Sequence, residues 1–255
     1  MRFASLGSGS QGNGFVVESA RSRILLDCGF GVCETVRRLQ RLGLAPEDLS
    51  ALLVTHEHAD HLSGVAGFAL KYGLPVWLTH GTAQFWGRRT VHPAATHIID
   101  SHTRFHVGAL EIQPFPVPHD AREPVQFVFG DGLHRLGILT DTGSVTAHVE
   151  SMLNGLDALV LECNHERALL LDGPYPAHLK KRVGGAFGHL DNAQAAALLR
   201  KLDTRRLQHL VAAHISQRNN TPVLARRALS EALGCDPEWV CLANQDQGFD
   251  WLPLT

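Results

Sequence analysis

Six apolar segments of this sequence each lead into a histidine or an acidic residue. A single such residue commonly belongs to a turn, but here the arrangement recurs along most of the chain. Because the carboxyl ends of the strands in an α/β sheet are where binding sites form, the recurrence predicts an α/β fold with one shared site. The six polar residues are Asp27, His56, His119, Asp141, Glu162 and His214.

The apolar pattern alternates between strand-like and helix-like segments. Buried strands are predicted for residues 22–27, 51–55, 75–78, 115–119, 136–141, 158–162 and 207–214, and helices for 34–44, 61–72, 191–202 and 222–233. The third helix opens with Asp191 and has Gln194 three residues later, the pattern of a capping box. Residues 101–136 are rich in turns and favour antiparallel strands. Since no internal repeat or linker is evident, we expect one domain over residues 1–255.

The composition excludes several classes of protein. Hydrophobic residues make up 44% of the 255 and charged residues 19%, which suits a packed core and not a disordered chain or a coiled coil. No apolar run reaches the ~18 residues of a membrane span, and residues 1–10 lack the pattern of an export signal. The five cysteines form no CxxC pair, which favours reduced thiols. We therefore expect a cytoplasmic protein that does not bind membranes.

Histidine is unusually frequent, with 16 residues, and its densest cluster is HEHADH at residues 56–61, directly after a predicted strand. Residues two apart in an extended segment project to the same side, so His56 and His58 can share one metal ion. Asp60 and His61 can point to a neighbouring ion. As core residues, these side chains would each need a hydrogen-bond partner or solvent. The cluster therefore predicts a metal site, with a spacing unlike the i, i+4 pairs of HExxH.

The HEHADH segment resembles the HxHxDH signature of the metallo-β-lactamase fold hydrolases. Other motifs of that family follow in order: Asp27 in LLDCG matches the first, His119 the third, Asp141 in LTDTG the fourth and His214 in AAHIS the fifth. The resemblance covers nearly the whole chain and implies an α/β (αββα) fold, a four-layer αβ/βα sandwich with a dinuclear metal site at one edge of the sheets. The chain is too short for the β-CASP insertion of some nucleases with this fold.

The resemblance also implies a set of metal ligands. Mixed imidazole and carboxylate ligands suit Zn²⁺ and tolerate Mn²⁺ or Fe²⁺. Diiron flavoproteins of this fold carry glutamate in place of His58, so reduction of oxygen or nitric oxide is disfavoured. Asp27 would orient a ligand imidazole through the second nitrogen of its ring. The resemblance implies that His56, His58 and His119 bind one divalent ion and that Asp60, His61 and His214 bind the other. Asp141 would bridge the two.

Two ions that share a carboxylate imply hydrolysis. Together they lower the pKa of a bridging water and stabilise the charge that develops on the attacked group. A phosphodiester, a thioester, a lactone and a β-lactam are all compatible substrates, although β-lactamases proper are exported proteins. A phosphodiester releases a poor alkoxide leaving group, for which a general acid contributes, whereas lactone and thioester hydrolases have less need of one.

The chain offers such an acid, because His189 and Glu162 resemble a pair in the ribonuclease Z group. His189 stands in GHLDN before a predicted helix, and Glu162 ends a predicted strand in LECNH. In that group the glutamate orients the histidine, which protonates the departing sugar oxygen. The resemblance therefore implies catalytic roles for His189 and Glu162, and for Asp60 of the HEHADH segment. The motifs together look most like the YycJ-like group of bacterial nucleases, regarded as exonucleases on DNA. Residues 142–176 contain no flexible arm of the ribonuclease Z type, which disfavours tRNA processing.

A further set of residues is expected behind the ligands or next to the substrate. The Gly/Ser-rich run at residues 6–13 suits either backbone contacts to an anion or a tight turn between strands. The segment HISQRNN resembles the HxSxR run of ribonuclease Z, except that Asn219 replaces a tyrosine. These candidates are Asp27, Ser8, Ser10, Asn13, Asn164, His165, Ser216 and Arg218.

Charge is distributed unevenly along the chain. The formal net charge is −2, yet residues 180–227 contain ten Lys or Arg and two acids, a net of +8. This segment includes His189 and His214. It suits an approaching anionic substrate, and it equally suits solvated helix faces.

Three functions remain compatible with the sequence. The first is a dinuclear metal-dependent phosphodiesterase, an exonuclease acting on nucleic acid with DNA favoured over RNA. The second is a small-molecule hydrolase (a thioesterase, lactonase or cyclic phosphodiesterase), which the net charge of −2 and the aromatic content of 7% favour slightly. The third is a non-catalytic metal-binding protein, which seven intact ligands disfavour. The sequence leaves the oligomeric state open.

Overall fold

The computed structural model describes residues 1–86 and 95–255, which form two seven-stranded sheets packed face to face. In the first sheet the strand order is β14-β1-β2-β3-β4-β5-β6, and in the second it is β13-β12-β11-β10-β9-β8-β7. The strands are β1 (Arg2–Gly7), β2 (Gly14–Ser19), β3 (Ser22–Leu26), β4 (Ala51–Leu53), β5 (Val76–Thr79), β6 (Thr96–Ile99), β7 (Phe105–Val107), β8 (Leu110–Pro116), β9 (Val125–Gly130), β10 (Arg135–Leu139), β11 (Ala158–Glu162), β12 (His209–Ala213), β13 (Cys241–Leu242) and β14 (Phe249–Pro253).

The two sheets have the same internal plan. Each has three antiparallel pairings along one half, and three parallel pairings follow along the other half. In the first sheet the parallel half begins at the β3–β4 pair, and in the second sheet it begins at the β10–β11 pair. The polar residues of the predicted site end or follow β3, β4, β10, β11 and β12 of the parallel halves and β8 of the antiparallel half.

Helices cover the outer faces of both sheets. In the described ranges no helix is long and apolar enough to cross a membrane. The helices are α1 (Val32–Arg41), α2 (Ala59–Leu62), α3 (Val65–Tyr72), α4 (His80–Trp86), α5 (Ala147–Met152), α6 (Arg167–Asp172), α7 (Ala177–Val183), α8 (Asn192–Lys201) and α9 (Pro222–Leu233), with 3₁₀ turns at Pro46–Asp48 and Pro237–Trp239.

Three apolar clusters separate the four layers. Successive residues of a strand point to opposite faces, so a strand buried on both faces contributes to two clusters. In β11, Val160 packs between the sheets while Leu159 and Leu161 pack against the helices of the second half. Leu52 of β4 likewise packs against the helices of the first half. The predicted four-layer αβ/βα sandwich is confirmed.

The predicted elements correspond to observed ones, with two errors. The predicted strand 115–119 is wrong beyond Pro116, because Pro116 and Pro118 have no N–H to donate to a sheet ladder. The predicted helix 61–72 is divided into α2 and α3. The break lies at Gly64, where a methyl group would overlap the carbonyl oxygen of Phe30. The capping box of α8 is present as predicted, with Gln194 N donating to Asp191 Oδ1 at 2.7 Å.

Candidate metal centre

Strands of both sheets bring the predicted ligands to one place. Four of them, His56, His58, Asp60 and His61, lie in the short segment that follows β4 and forms α2. The other three come from the second sheet and follow β8, β10 and β12. The site is therefore built jointly by the two halves of the sandwich.

Three residues at strand ends adopt an unusual backbone conformation. Asp27, Asp141 and His214 have φ angles of 60°, 52° and 52°, in the left-handed region that non-glycine residues rarely occupy. Each comes within two residues of the end of its strand. Such a conformation costs about 1–3 kcal/mol and persists where surrounding structure enforces it, typically at functional sites. The chain turns sharply at these points and directs each side chain into the centre.

The first group of ligand atoms comes from His56, His58 and His119. One ring nitrogen of each lies within 4.8 Å of those of the other two. The closest approach is 3.2 Å, between His119 Nε2 and His58 Nδ1. Imidazole nitrogens this close together face a common point, and three of them form a typical set of nitrogen ligands for a divalent ion.

The second group consists of Asp60, His61, Asp141 and His214, again within 4.8 Å of one another. His61 Nε2 lies 3.1 Å from Asp141 Oδ2 and 3.4 Å from Asp60 Oδ2. His214 Nε2 lies 3.4 Å from Asp60 Oδ2 and 3.5 Å from Asp141 Oδ1. The structure thus brings all seven predicted ligands together in the two predicted groups. The bridging position of Asp141 remains a proposal.

The second nitrogen of each imidazole is engaged outside the two groups. His61 Nδ1 bonds to Asp27 Oδ2 at 2.8 Å and His119 Nδ1 to the Gly188 carbonyl at 3.0 Å. This arrangement fixes the tautomer and leaves the other nitrogen free for a metal. The remaining partners are Thr55 Oγ1 for His56 Nδ1 (2.9 Å), the Asp120 carbonyl for His58 Nε2 (3.3 Å) and Glu162 Oε1 for His214 Nδ1 (3.2 Å).

Two buried atoms show that a metal ion fits this centre. His56 Nε2 and Asp141 Oδ2 are enclosed by protein, and neither makes a well-aligned hydrogen bond, although His61 Nε2 lies 3.1 Å from Asp141 Oδ2. A buried polar atom without a partner loses its interaction with water, at a cost of about 1–3 kcal/mol. Both atoms face the ligand groups, where a divalent cation would supply the missing partner.

The ionisation of the site supports the same conclusion. Burial and the neighbouring imidazoles lower the pKa of His56 well below its usual value, which keeps this ring neutral. Burial also lowers the pKa of His61 and His214, but Asp141 and Asp60 outweigh it and raise both, that of His214 to about 10. In the metal-free protein these rings therefore hold protons beside the carboxylates. A divalent ion takes over that positive charge when it displaces the protons.

Glu162 joins the ligands to His189. It is fully buried, and its Oε2 accepts hydrogen bonds from the backbone N–H groups of Thr142 (3.0 Å) and Leu190 (3.1 Å). Its Oε1 lies 2.8 Å from His189 Nδ1 and 3.2 Å from His214 Nδ1. Burial raises the pKa of Glu162, but the charge of His189 and these hydrogen bonds lower it to about 2. An ionised glutamate thus orients both rings.

The ligands open onto a cleft of about 370 Å³. Asp120 and Tyr175 line this cleft without having been predicted from the sequence, and Arg182 was expected only as part of a basic run. Arg182 Nε donates to Asp120 Oδ2 at 2.6 Å, a contact between residues distant in sequence. Among the described residues, those lining the cleft are Ser10, His58, Ala59, Asp60, Asp120, Asp141, Asn164, Tyr175, Leu179, Arg182, Val183, Gly188, His189, His214, Ser216 and Asn219.

The Gly/Ser-rich run supports the ligands from behind. It forms the turn between β1 and β2, one of the two alternatives left open by the sequence. Asn13 is buried and its Nδ2 lies 3.2 Å from Asp60 Oδ2 and 3.1 Å from His61 Nε2. Ser8 Oγ accepts from the backbone N–H of His214 at 3.0 Å. Ser10 alone of the three candidates lies on the cleft wall.

The other candidates divide between the cleft and its surroundings. Asn164 lines the cleft, and its Nδ2 donates to the His214 carbonyl at 3.0 Å. Ser216 lines it too, with Oγ accepting from the Asn219 N–H at 3.1 Å. Arg218 is exposed and does not line the cleft, while His165 lines a neighbouring cavity.

The basic segment at residues 180–227 is not one continuous surface. Arg205, Arg206 and Arg226 pair with Asp203 (2.6 Å), Asp157 (2.9 Å) and Glu238 (2.8 Å). Of the ten cations only Arg182 lines the cleft. For most of this segment, therefore, the solvated-face interpretation agrees with the structure.

Comparison with known proteins agrees with this geometry. The model of the β-lactamase superfamily domain matches residues 22–215. Exodeoxyribonuclease YycJ of Bacillus anthracis is 34% identical over 244 residues, which cover 91% of this chain and 89% of the relative. Ribonuclease Z of Bradyrhizobium diazoefficiens is 33% identical over 130 residues, 45% of this chain and 42% of the relative. The metallo-β-lactamase fold protein YhfI from Bacillus subtilis superposes with a TM-score of 0.76 at 16% identity, covering 99% of both chains.

The chain belongs to the β-lactamase superfamily, with the metallo-β-lactamase fold. Its clustered imidazoles and carboxylates define it further as a metal-dependent hydrolase of that fold. The likeness predicted from HEHADH and the motifs that follow it is therefore confirmed.

Proposed function

We propose that this protein is a dinuclear metal-dependent phosphodiesterase that acts as an exonuclease on nucleic acid, with DNA favoured over RNA. In this proposal the ligands are the seven residues of the two groups, with Asp141 shared between the ions. The metals are Zn²⁺ or Mn²⁺, with Fe²⁺ also compatible with the ligand set. When bound, they activate water for attack and stabilise the negative charge that develops on the phosphoryl group.

The observation that carries the proposal is the Glu162–His189 pair beside the ligands. His189 lines the cleft with its side chain 19% exposed, and its Nδ1 bonds to Glu162 Oε1 at 2.8 Å. Because Nδ1 is held by a carboxylate, the proton available to a substrate is the one on Nε2. His189 acts in this proposal as the general acid that protonates the departing sugar oxygen, while Glu162 holds the ring in place.

The preference for DNA comes from the relatives and not from the geometry of the cleft. The 34% identical relative that spans most of the chain is an exodeoxyribonuclease, whereas the ribonuclease Z match covers less than half of it. We also propose a cytoplasmic location, which the five free cysteines support.

A small-molecule hydrolase is the second candidate. One observation favours it: the described cleft lining contains one Lys or Arg side chain, that of Arg182, beside the carboxylates of Asp60, Asp120 and Asp141. A thioester or lactone would need no cation beyond the metals. A thioester, however, releases a thiolate, which departs without protonation and leaves the Glu162–His189 pair without a use.

The decisive experiment is degradation of oligonucleotides labelled at the 5′ or the 3′ end. Purified protein loaded with Mn²⁺ or Zn²⁺ is incubated with DNA and RNA versions of one sequence, beside a panel of thioesters and lactones. We expect stepwise shortening from one end and faster loss of DNA. Hydrolysis of a thioester or lactone without any cleavage of nucleic acid would instead establish the second candidate. Asp60→Ala protein serves as the control for contaminating nucleases.

A further inference from the structure

A second cavity of about 570 Å³ lies on the other side of α7 from the cleft. Its volume falls in the range of about 300–1,000 Å³ that is typical of small-molecule sites. The described residues that line it are His165, Arg167, Leu170, Leu171, Ala177, Lys180, Lys181, Gly184, Gly185, Asp191 and Gln194.

Helix α7 forms the wall shared by the two spaces. Leu179, Arg182 and Val183 line the cleft, whereas Lys180 and Lys181 line the second cavity. No residue of α7 is buried, so this helix lies on the surface with open space on both sides. A chain molecule bound in the cleft therefore reaches the second cavity by crossing one short helix.

The second cavity has a positively charged lining. Its lining carries Arg167, Lys180 and Lys181 against one carboxylate, that of Asp191, a net of +2. That carboxylate is already engaged, because its Oδ1 accepts the Gln194 N–H at 2.7 Å as the cap of α8. Lys180 Nζ donates to the Leu171 carbonyl, which holds one ammonium at the wall. Such a lining attracts an anion with several oxygens.

His165 adds a hydrogen-bonding group to the wall of the cavity. The residue is 2% exposed and lines the cavity, with its Nδ1 enclosed by protein and its Nε2 towards Gly184, another residue of the wall. The imidazole can donate or accept one hydrogen bond at Nε2, depending on its tautomer. Leu170 and Leu171 line the same cavity and offer apolar surface for a sugar or a base.

We propose that this second cavity is a nucleotide subsite, which binds one nucleotide unit of the substrate strand next to the unit being hydrolysed. Lys180 and Lys181 each contact one of the two phosphates that flank this unit, His165 hydrogen-bonds a polar group of the nucleoside, and the leucines pack against the sugar or base. The inference rests on the proposed nuclease function and assigns it a second binding position outside the metal cleft.

The first test measures how salt weakens the binding of a fluorescent single-stranded DNA. The protein carries His189→Ala so that cleavage is slow during the measurement. Adding Lys180→Ala and Lys181→Ala should raise the Kd about tenfold and flatten the plot of log Kd against log salt by about 1.4, or ~0.7 for each lost phosphate contact. The matched control is Arg226→Ala with Arg227→Ala, a basic pair of the same segment outside both spaces, which should change neither quantity.

A second set of measurements distinguishes loss of the subsite from misfolding and from failure of the nuclease proposal. Lys181→Ala alone should reproduce half of the slope change with an unaltered melting temperature. In wild-type protein, a deoxyribonucleoside monophosphate should shift the NMR signals of the His165 ring, and the lysine variants should not show this shift. Turnover of bis-nitrophenyl phosphate, which is too small to reach past α7, should be unchanged in the lysine variants.

The outcomes separate the two proposals. Lysine variants that bind DNA with the wild-type slope, or a His165 signal that does not respond to the mononucleotide, would overturn the subsite. Binding at His165 in a protein that hydrolyses no nucleic acid with any metal would instead overturn the nuclease function and leave the subsite standing.

Discussion

At the scale of single residues, Asp27 controls two ligand imidazoles at once. Its Oδ2 accepts His61 Nδ1–H at 2.8 Å, and its carboxylate also accepts from Thr55 Oγ1 at 2.9 Å. Because the Thr55 hydroxyl donates its single proton to Asp27, it acts as acceptor towards His56 Nδ1, 2.9 Å away. Both rings are thereby fixed in the tautomer that presents Nε2 to a metal.

Asp27→Ala should therefore weaken metal binding by about 10–100-fold, the usual effect of losing an orienting partner. Competition with a coloured chelator measures this change directly. Asp250→Ala, at an exposed carboxylate far from the site, is the control and should bind metal like the wild type. Unchanged affinity in Asp27→Ala would show that the rings hold their orientation without the carboxylate.

The role of His189 is also a residue-scale prediction. A sugar alkoxide leaves poorly without a proton, whereas a nitrophenolate leaves well without help, so His189→Ala should slow oligonucleotide hydrolysis by roughly 10²–10⁴-fold and bis-nitrophenyl phosphate far less. Glu162→Gln should show the same selectivity more weakly, because it only orients the ring. Rates are compared at saturating substrate. Equal losses on both substrates would assign His189 to the support of the metal site.

At the scale of elements, close backbone packing sets the position of the segment that carries Asp60. Gly29, just after β3, donates its N–H to the Asn13 carbonyl at 3.0 Å, and Asn13 N–H donates to the Asp60 carbonyl at 2.7 Å. A methyl group on Gly29 would lie 1.8 Å from that same Asp60 oxygen. This contact leaves no space for any side chain at residue 29.

Gly29→Ala should consequently lower the free energy of unfolding by about 1–3 kcal/mol and reduce the metal content, because the segment after β4 must shift. Gly31→Ala is a matched control two residues further on, where an added methyl meets nothing within 4 Å; because Gly31 is the N-cap of α1, where alanine is less favourable than glycine, the loss should stay below about 1 kcal/mol. Urea denaturation and elemental analysis provide the two measurements. Full metal content and stability in Gly29→Ala would contradict this packing argument.

Some of the strands and helices around the site could be predicted from the sequence, and others could not. The strand ends that place Asp141 and His214 could be predicted because apolar runs and single polar residues are local signals. Helix α7 was not predicted, since it buries no residue and has no apolar periodicity to detect. The pairing of Arg182 with Asp120 was equally inaccessible, because a count of charges along a segment does not reveal partners from another part of the chain.

At the scale of the whole molecule, each metal position joins the two halves of the sandwich. His56 and His58 from the first half meet His119 from the second, and Asp60 with His61 meets Asp141 and His214 in the same way. An ion bound only by the folded state stabilises it according to its concentration relative to Kd. Metal binding should therefore hold the halves together in addition to serving catalysis.

Protein purified without chelators should contain close to two equivalents of metal, and removing them should lower the melting temperature. At a metal concentration one hundred times Kd, one site contributes about 2.7 kcal/mol, or roughly 5–11 °C for a chain of this size. Reloading with Zn²⁺ or Mn²⁺ should restore the wild-type value. Asp141→Ala should lose both ions and melt at one temperature with or without added metal, because a shared carboxylate holds the pair. Retention of one full equivalent in Asp141→Ala would make this residue a ligand of a single ion. Identical melting of the chelated and reloaded wild type would show that the ions do not connect the two halves.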